Sequence, residues 1–165
     1  MKLVTILYFI TILFTPYVFC TELYSQEMAQ TKIDPILDKL KTGVTKKDAS
    51  IFKDIISFPL NISSSKTYVS SDGYMKIKTR KIENIEQLQK QFNNVFVPSL
   101  VKLINCIKPE NMDYNPYKGF SAAYGSIWFF DIIDRNSGIR RFALTSLSTN
   151  EKAINKWLAL ECKNT

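Results

Sequence analysis

From Ile36 the apolar positions run Ile36, Leu37, Leu40 and stop at Gly43. Asp34 before Pro35 reads as a cap with proline in the first helical turn, so a first helix is expected within residues 24–42. A second pattern follows at Ile51, Phe52, Ile55 and Ile56, again at helical spacing. "TKKD" at Thr45 predicts its start as a weak capping box, and Pro59 predicts its end. From Leu60 the period shortens to two. "LNISSSKTYVSSDGYMKIKTRKI" predicts two strands around a turn at Ser70–Gly73. In the second, Lys76, Lys78 and Arg80 share one face and Met75, Ile77 and Thr79 the other. Lysine along an edge strand also discourages edge-to-edge aggregation, which is the simplest reading of that basic row.

Asn84 and Gln87 form a capping pair ahead of Ile85, Leu88, Phe92, Val95 and Phe96. Pro98 must kink or restart that helix. Leu100, Val101, Leu103, Ile104 and Ile107 continue its apolar face. Residues 108–119 read as a loop. The stretch from Phe120 to Ile132 reads as one long strand. One face carries Phe120, Ala122, Tyr124, Ser126, Trp128, Phe130 and Ile132, and the other Ser121, Ala123, Gly125, Ile127, Phe129 and Asp131. Both faces are largely apolar, so both should be covered along much of their length. "DRNSG" at Asp134–Gly138 predicts a hairpin turn, and "IRRFALTSLS" the returning strand. Asn150 opens a short terminal helix with Ile154, Trp157 and Leu158 on one side.

The N-terminus adds a compartment. Lys2, an apolar run from Leu3 to Phe14 and Pro16 have the layout of a secretory leader over residues 1–20, leaving a single domain over 21–165. A membrane anchor is the competing reading, but a span takes about 20 apolar residues and this run is shorter. A lipid on Cys20 is a third reading, opposed by the bulk of Phe19. The expected location is therefore exported, periplasmic or secreted. Membrane contact is expected only through the leader or such a lipid. With Cys20 gone, Cys106 and Cys162 most simply form one disulfide. Closing so long a loop contributes about 3–5 kcal/mol in the chain-entropy account.

Composition narrows the chemistry. The 165 residues are 45% hydrophobic and 13% aromatic, enough for a folded core. The formal charge is +7; the 22 basic residues less Lys2 leave 21 against 15 acidic, or +6. A basic chain attracts anionic partners such as envelope lipids, cell-wall polymers or nucleic acid, and the exported compartment argues against the last. The chain has no histidine. That excludes histidine-based triads, histidine zinc sites and a histidine general base. Asp34 with Asp38 and Glu83 with Glu86 are the available carboxylate pairs; solvated helix faces explain them, so no metal and no cofactor is expected. "NIS" at Asn61–Ser63 fits a glycosylation acceptor and matters only in a eukaryotic secretory pathway.

Three stretches together resemble a known family. "FPL" at Phe58–Leu60 closes an early helix. "IENIEQLQKQFNNVFVPSLVKLI" at Ile82–Ile104 is similar to a long helix with a Phe-x-Pro-like step. "GFSAAYGSIWF" at Gly119–Phe129 is similar to a Gly-x-x-x-x-Gly-x-x-Trp-Phe strand. These features resemble exported bacterial proteins of the nuclear transport factor 2-like superfamily, with the cystatin-like fold, over about residues 44–148. The resemblance implies an α+β cone, in which a curved antiparallel sheet wraps a long kinked helix, here with an extra C-terminal helix. It also implies a cavity between sheet and helices. Some relatives of that fold are isomerases or dehydratases, and others only bind ligands or dimerise; fold alone does not choose.

Tyr124, Trp128 and Phe130 are the candidate cavity-lining residues, with Arg140 or Arg141 at the rim to hold an anionic group on an apolar ligand. Ordinary core is the competing reading. Adjacent strand residues alternate, so only one of the two arginines can share the aromatic face. An isomerase-like site would need a buried aspartate beside a tyrosine. Tyr124 and Asp131 are odd-spaced and would point apart. The expected function is thus a non-catalytic exported binding or interaction module. Its partner would be a protein such as a toxin, a second copy through the sheet face, or a small apolar or anionic ligand. A small periplasmic isomerase or hydrolase-like enzyme using an Asp/Tyr pair is the alternative.

Overall fold

A computed structural model describes residues 25–133 and 138–162. The expected leader and most of the Asp134–Gly138 turn lie outside them. The described chain is α+β, with five α-helices and a six-stranded sheet in the order β2-β1-β6-β5-β4-β3. The strands are β1 (Ile56–Val69), β2 (Met75–Ile82), β3 (Asp113–Asn115), β4 (Gly119–Ala122), β5 (Ile127–Ile133) and β6 (Arg140–Ser148). The sheet is mixed rather than antiparallel throughout, because β1 runs parallel to β6.

Helix α1 (Gln26–Lys46) is longer than its periodicity from Ile36 predicts. Ser25 caps it by accepting from the Met28 N–H, and Ala29 and Ile33 extend the buried stripe of Leu37, Leu40 and Val44 back past Pro35. Burial of that stripe outweighs the hydrogen bond that Pro35 cannot donate. The C-terminus closes at Lys47, whose φ of 53° is left-handed, with the Asp48 N–H reaching the Gly43 carbonyl at 3.1 Å. Gly43 itself lies inside the helix against Phe52.

The predicted second helix does not form. Only a single 3₁₀ turn, Ala49–Phe52, exists there, capped by Asp48. Ile56 already belongs to β1, and the Leu144 N–H donates to the Ile55 carbonyl at 2.7 Å. A strand partner on β6 outcompetes a short helix of β-branched residues. Pro59 consequently sits within a strand, after a cis Phe58–Pro59 bond. The β1–β6 register shifts between Ile56 and Asn61, around the residue that has no N–H for the ladder.

The expected long kinked helix is three pieces: α2 (Ile85–Lys90), α3 (Phe92–Val95) and α4 (Pro98–Cys106). Asn84 caps the first by accepting from the Gln87 N–H. Val97 is extended, as a residue before proline must be, so the chain restarts instead of bending. The stripe still holds: Leu88, Phe92, Val95, Leu100, Leu103 and Ile104 are all buried.

The expected long strand is a hairpin. Ala123, Tyr124 and Gly125 all take positive φ, and the Ser126 N–H returns to the Ala122 carbonyl at 2.9 Å. β4 and β5 therefore pair with each other, Phe120 opposite Phe129 and Ala122 opposite Ile127. Folding back lets two short apolar segments cover each other, which one extended strand could not do. Gly119 permits the pairing, since a Cβ there would lie 2.1 Å from the Phe129 carbonyl oxygen.

The interior is one cluster. Phe52 packs on Phe92 and Phe96 with ring centroids 6.2 and 5.4 Å apart, and Phe120 meets Phe142 edge-on at 5.2 Å. Helix α5 (Glu151–Glu161) buries Ile154 and Trp157 in the same cluster. The Cys106–Cys162 disulfide fastens α5 to the end of α4, with Cα atoms 6.1 Å apart. That pairing is the one the sequence predicts.

Candidate functional site

Alternation along β5 sorts its side chains into two sets. Ile127 and Phe129 are fully buried on the helix side. Trp128, Phe130 and Ile132 point the other way and are partly exposed. Opposite them on β6, Phe130 pairs with Ala143 and Ile132 with Arg141, so Arg141 joins the aromatic face. A bulge follows, where the register shifts between Trp128 and Phe129; the Thr145 hydroxyl donates to the Trp128 carbonyl at 3.4 Å. The bulge lets both Leu144 and Leu147 face the core.

The Trp128 and Phe130 rings lie 5.5 Å apart at 37°. Gly125 leaves room for the indole, since a Cβ there would sit 2.8 Å from Trp128 Nε1. Phe130 is 38% exposed. Arg141 is held at the edge of this face by donating from Nη1 to the Asp54 carbonyl at 2.9 Å. The result is an aromatic surface with a guanidinium beside it, which can take an apolar surface carrying an acceptor or an anion.

Of the five predicted site residues, the structure brings together Trp128, Phe130 and Arg141. Tyr124 is not with them. It occupies the left-handed β4–β5 turn, exposed, with Lys156 Nζ 5.6 Å from its ring centroid. Arg140 is on the opposite face, where its Nε and Nη2 reach Asp131 Oδ2 at 2.7 and 2.5 Å. Asp131 is thus occupied by an arginine rather than a tyrosine. The aromatic face also looks outward and does not line an internal cavity. The inward position is filled by Phe120, Phe129 and Phe142, because β5 pairs with β4 at a phase that turns Trp128 away from the helices.

A groove of about 540 Å³ lies elsewhere, between Lys47–Ser50 and α2, where Gln89 bridges the Ala49 N–H and the Lys47 carbonyl. Among the described residues no group of three or more cysteine or carboxylate side chains is placed to hold a metal ion. Two carboxylates titrate below their ordinary value. Asp48 accepts from the Ser50 hydroxyl and N–H, and Asp72 accepts from Lys76 and Ser70.

A second exposed region has no counterpart in the predicted site. Tyr68, Val69, Tyr74, Met75 and Ile77, around the β1–β2 turn, are each more than half exposed. The alternation of Met75 and Ile77 was the available signal, and nothing local showed that their face stays uncovered. The basic row of β2 divides: Arg80 turns to the helices, donating to Gln91 Oε1 at 2.6 Å and the Asn94 carbonyl at 2.9 Å. No family model, no curated protein and no solved structure matches this chain.

Proposed function

We propose that this protein is an exported, non-catalytic interaction module of the nuclear transport factor 2-like type, whose outer sheet face receives a protein partner. One observation carries the reading. Trp128, Phe130 and Arg141 share a solvent-facing side, while the space a ligand cavity would need is occupied by buried phenylalanines. Aromatic residues and arginine are the side chains that dominate protein interfaces. The disulfide suits an oxidising compartment and so supports export. The order of helix, hairpin, helices and remaining strands is compatible with the cone that the resemblance implies.

The partner is either another protein or a second copy of the chain, and sedimentation velocity separates the two. Self-association that Phe130→Glu abolishes identifies the second copy. If the protein is monomeric, affinity capture from the exported fraction is compared between the wild type and Trp128→Ala/Phe130→Glu. A partner retained by the wild type should lose at least about tenfold in affinity to the variant. A small molecule retained in native mass spectra, and lost by the same variant, would replace the interaction reading with a ligand-binding one.

A further inference from the structure

We infer that the β1–β2 hairpin is an arm that docks on an anionic lipid surface. Pairing of β1 with β6 ends at Ser63–Ser148, yet β1 continues to Val69 paired with β2 alone. β2 covers the same distance with four residues, Lys78 to Met75, so at about 3.3 Å each the ladder runs roughly 13 Å past the sheet, with the turn beyond it. Its outer side presents Val69, Met75 and Ile77, with Val69 opposite Met75 and Thr67 opposite Ile77. Tyr68, opposite Lys76, faces the other way, and Tyr74 flanks the turn.

Charge selects the occupant. Lys66, Lys76 and Lys78 stand on this arm against a single acid, Asp72, and Arg80 and Lys81 follow at its base, opposite Ile62 and Asn61. Lys76 pairs with Asp72 at 2.8 Å, and Arg80 is engaged by α2 and α3. Lys66, Lys78 and Lys81 have no ion pair among the described residues, so they are available to an anion. A second copy pairing along the β2 edge would set lysines against lysines. Nucleic acid would use the phosphate contacts and the tyrosines but gain nothing from Val69, Met75 and Ile77. A protein partner covers one side, whereas this projecting element exposes aliphatic side chains on one side and Tyr68 beside Lys76 on the other. A lipid interface accommodates that distribution. Aliphatic side chains enter the headgroup–acyl boundary, tyrosines sit at headgroup level, and edge lysines reach anionic headgroups along their stems. This contact is distinct from the leader and from a lipid on Cys20, the two routes to a membrane that the sequence suggests, and it uses none of the residues of the sheet-face site.

The test is co-sedimentation of the disulfide-bonded protein with phosphatidylcholine vesicles and with vesicles that also contain phosphatidylglycerol. Partitioning should rise at least about tenfold on the anionic vesicles and fall again with added salt. Lys66→Gln/Lys78→Gln/Lys81→Gln should lower it by roughly fivefold per lysine removed. Met75→Ser/Ile77→Ser should lower it by about tenfold, with an unchanged circular dichroism spectrum, because neither residue belongs to the core. Equal partitioning on both vesicle types, or arm variants that bind like the wild type, would overturn the inference. So would binding to poly-L-glutamate or to single-stranded DNA without vesicle binding; these outcomes assign the arm to an acidic polypeptide or to nucleic acid. A Tyr74→Trp variant reports the contact directly, through an emission blue-shift on anionic vesicles that the wild type lacks.

Discussion

Arg140 holds Asp131 across the β5–β6 ladder with two nitrogens on one carboxylate oxygen, Oδ2. The Asp131 side chain is 4% exposed and that of Arg140 21%, so the pair is largely out of water. Oδ1 of the same carboxylate has no hydrogen-bond partner. Removing the arginine strands a buried charge, whereas removing both charges does not. Arg140→Met should cost about 3–5 kcal/mol in urea unfolding, and Asp131→Leu/Arg140→Met much less. Single-variant costs that simply add in the double variant would contradict this account.

The Cys106–Cys162 bridge spans 56 residues. A loop of that length constrains the unfolded chain by about 4 kcal/mol in the entropy account. Cys106→Ser/Cys162→Ser should therefore unfold at lower denaturant, with α5 losing hydrogen-exchange protection first. The unreduced protein should alkylate at neither position; two freely labelled thiols would refute the bridge.

Gly43→Ala separates helix propensity from packing. In an open helix interior the exchange stabilises by about 1 kcal/mol. Here the new Cβ would stand 2.0 Å from Phe52 Cε1, and Phe52 is fully buried between α1 and the α2–α3 segment. The variant should instead lose about 1–3 kcal/mol. A gain in thermal midpoint would show that Phe52 can move aside, and would contradict a tight contact at this position.

Asp48 and Asp72 supply a pH test. Hydrogen bonds from Ser50 hold Asp48 low, and Lys76 followed by Ser70 holds Asp72 low. A carboxylate whose folded pKa lies below its unfolded value of about 3.9 stabilises the fold above that value. The contribution disappears as pH falls through the folded pKa. Carboxyl resonances of both residues should therefore titrate below the ordinary aspartate midpoint. Ser50→Ala should raise the Asp48 midpoint, and Lys76→Gln that of Asp72; unchanged midpoints would remove the assigned cause.

Much of the local structure is legible along the chain. The Asn84 cap, the turn at Ser70–Gly73, the stripe from Leu88 to Ile104 and the terminal helix after Asn150 follow from spacing and capping chemistry. So does the rule that Arg140 and Arg141 cannot share a face. Which of the two joins the aromatics was decided by the β5–β6 register, where Ile132 meets Arg141. Tyr124 left the predicted site because "SAAYGS" turns through three left-handed residues, a conformation that alanine and tyrosine adopt only under tertiary constraint.

By itself the sequence determined the α+β class, the histidine-free chemistry, the simplest cysteine pairing once Cys20 is set aside with the leader, and the identity of most core residues. These depend on residue type and on short spacing, both present in the linear order. Tertiary structure decided the rest: that Ile55 and Ile56 join a strand, that β1 lies parallel to β6, that Phe120–Ile133 folds into a hairpin and that Trp128 faces outward. Each of those outcomes depends on a partner distant in sequence. Backbone hydrogen bonds and apolar area gained with that partner outweigh the local preference.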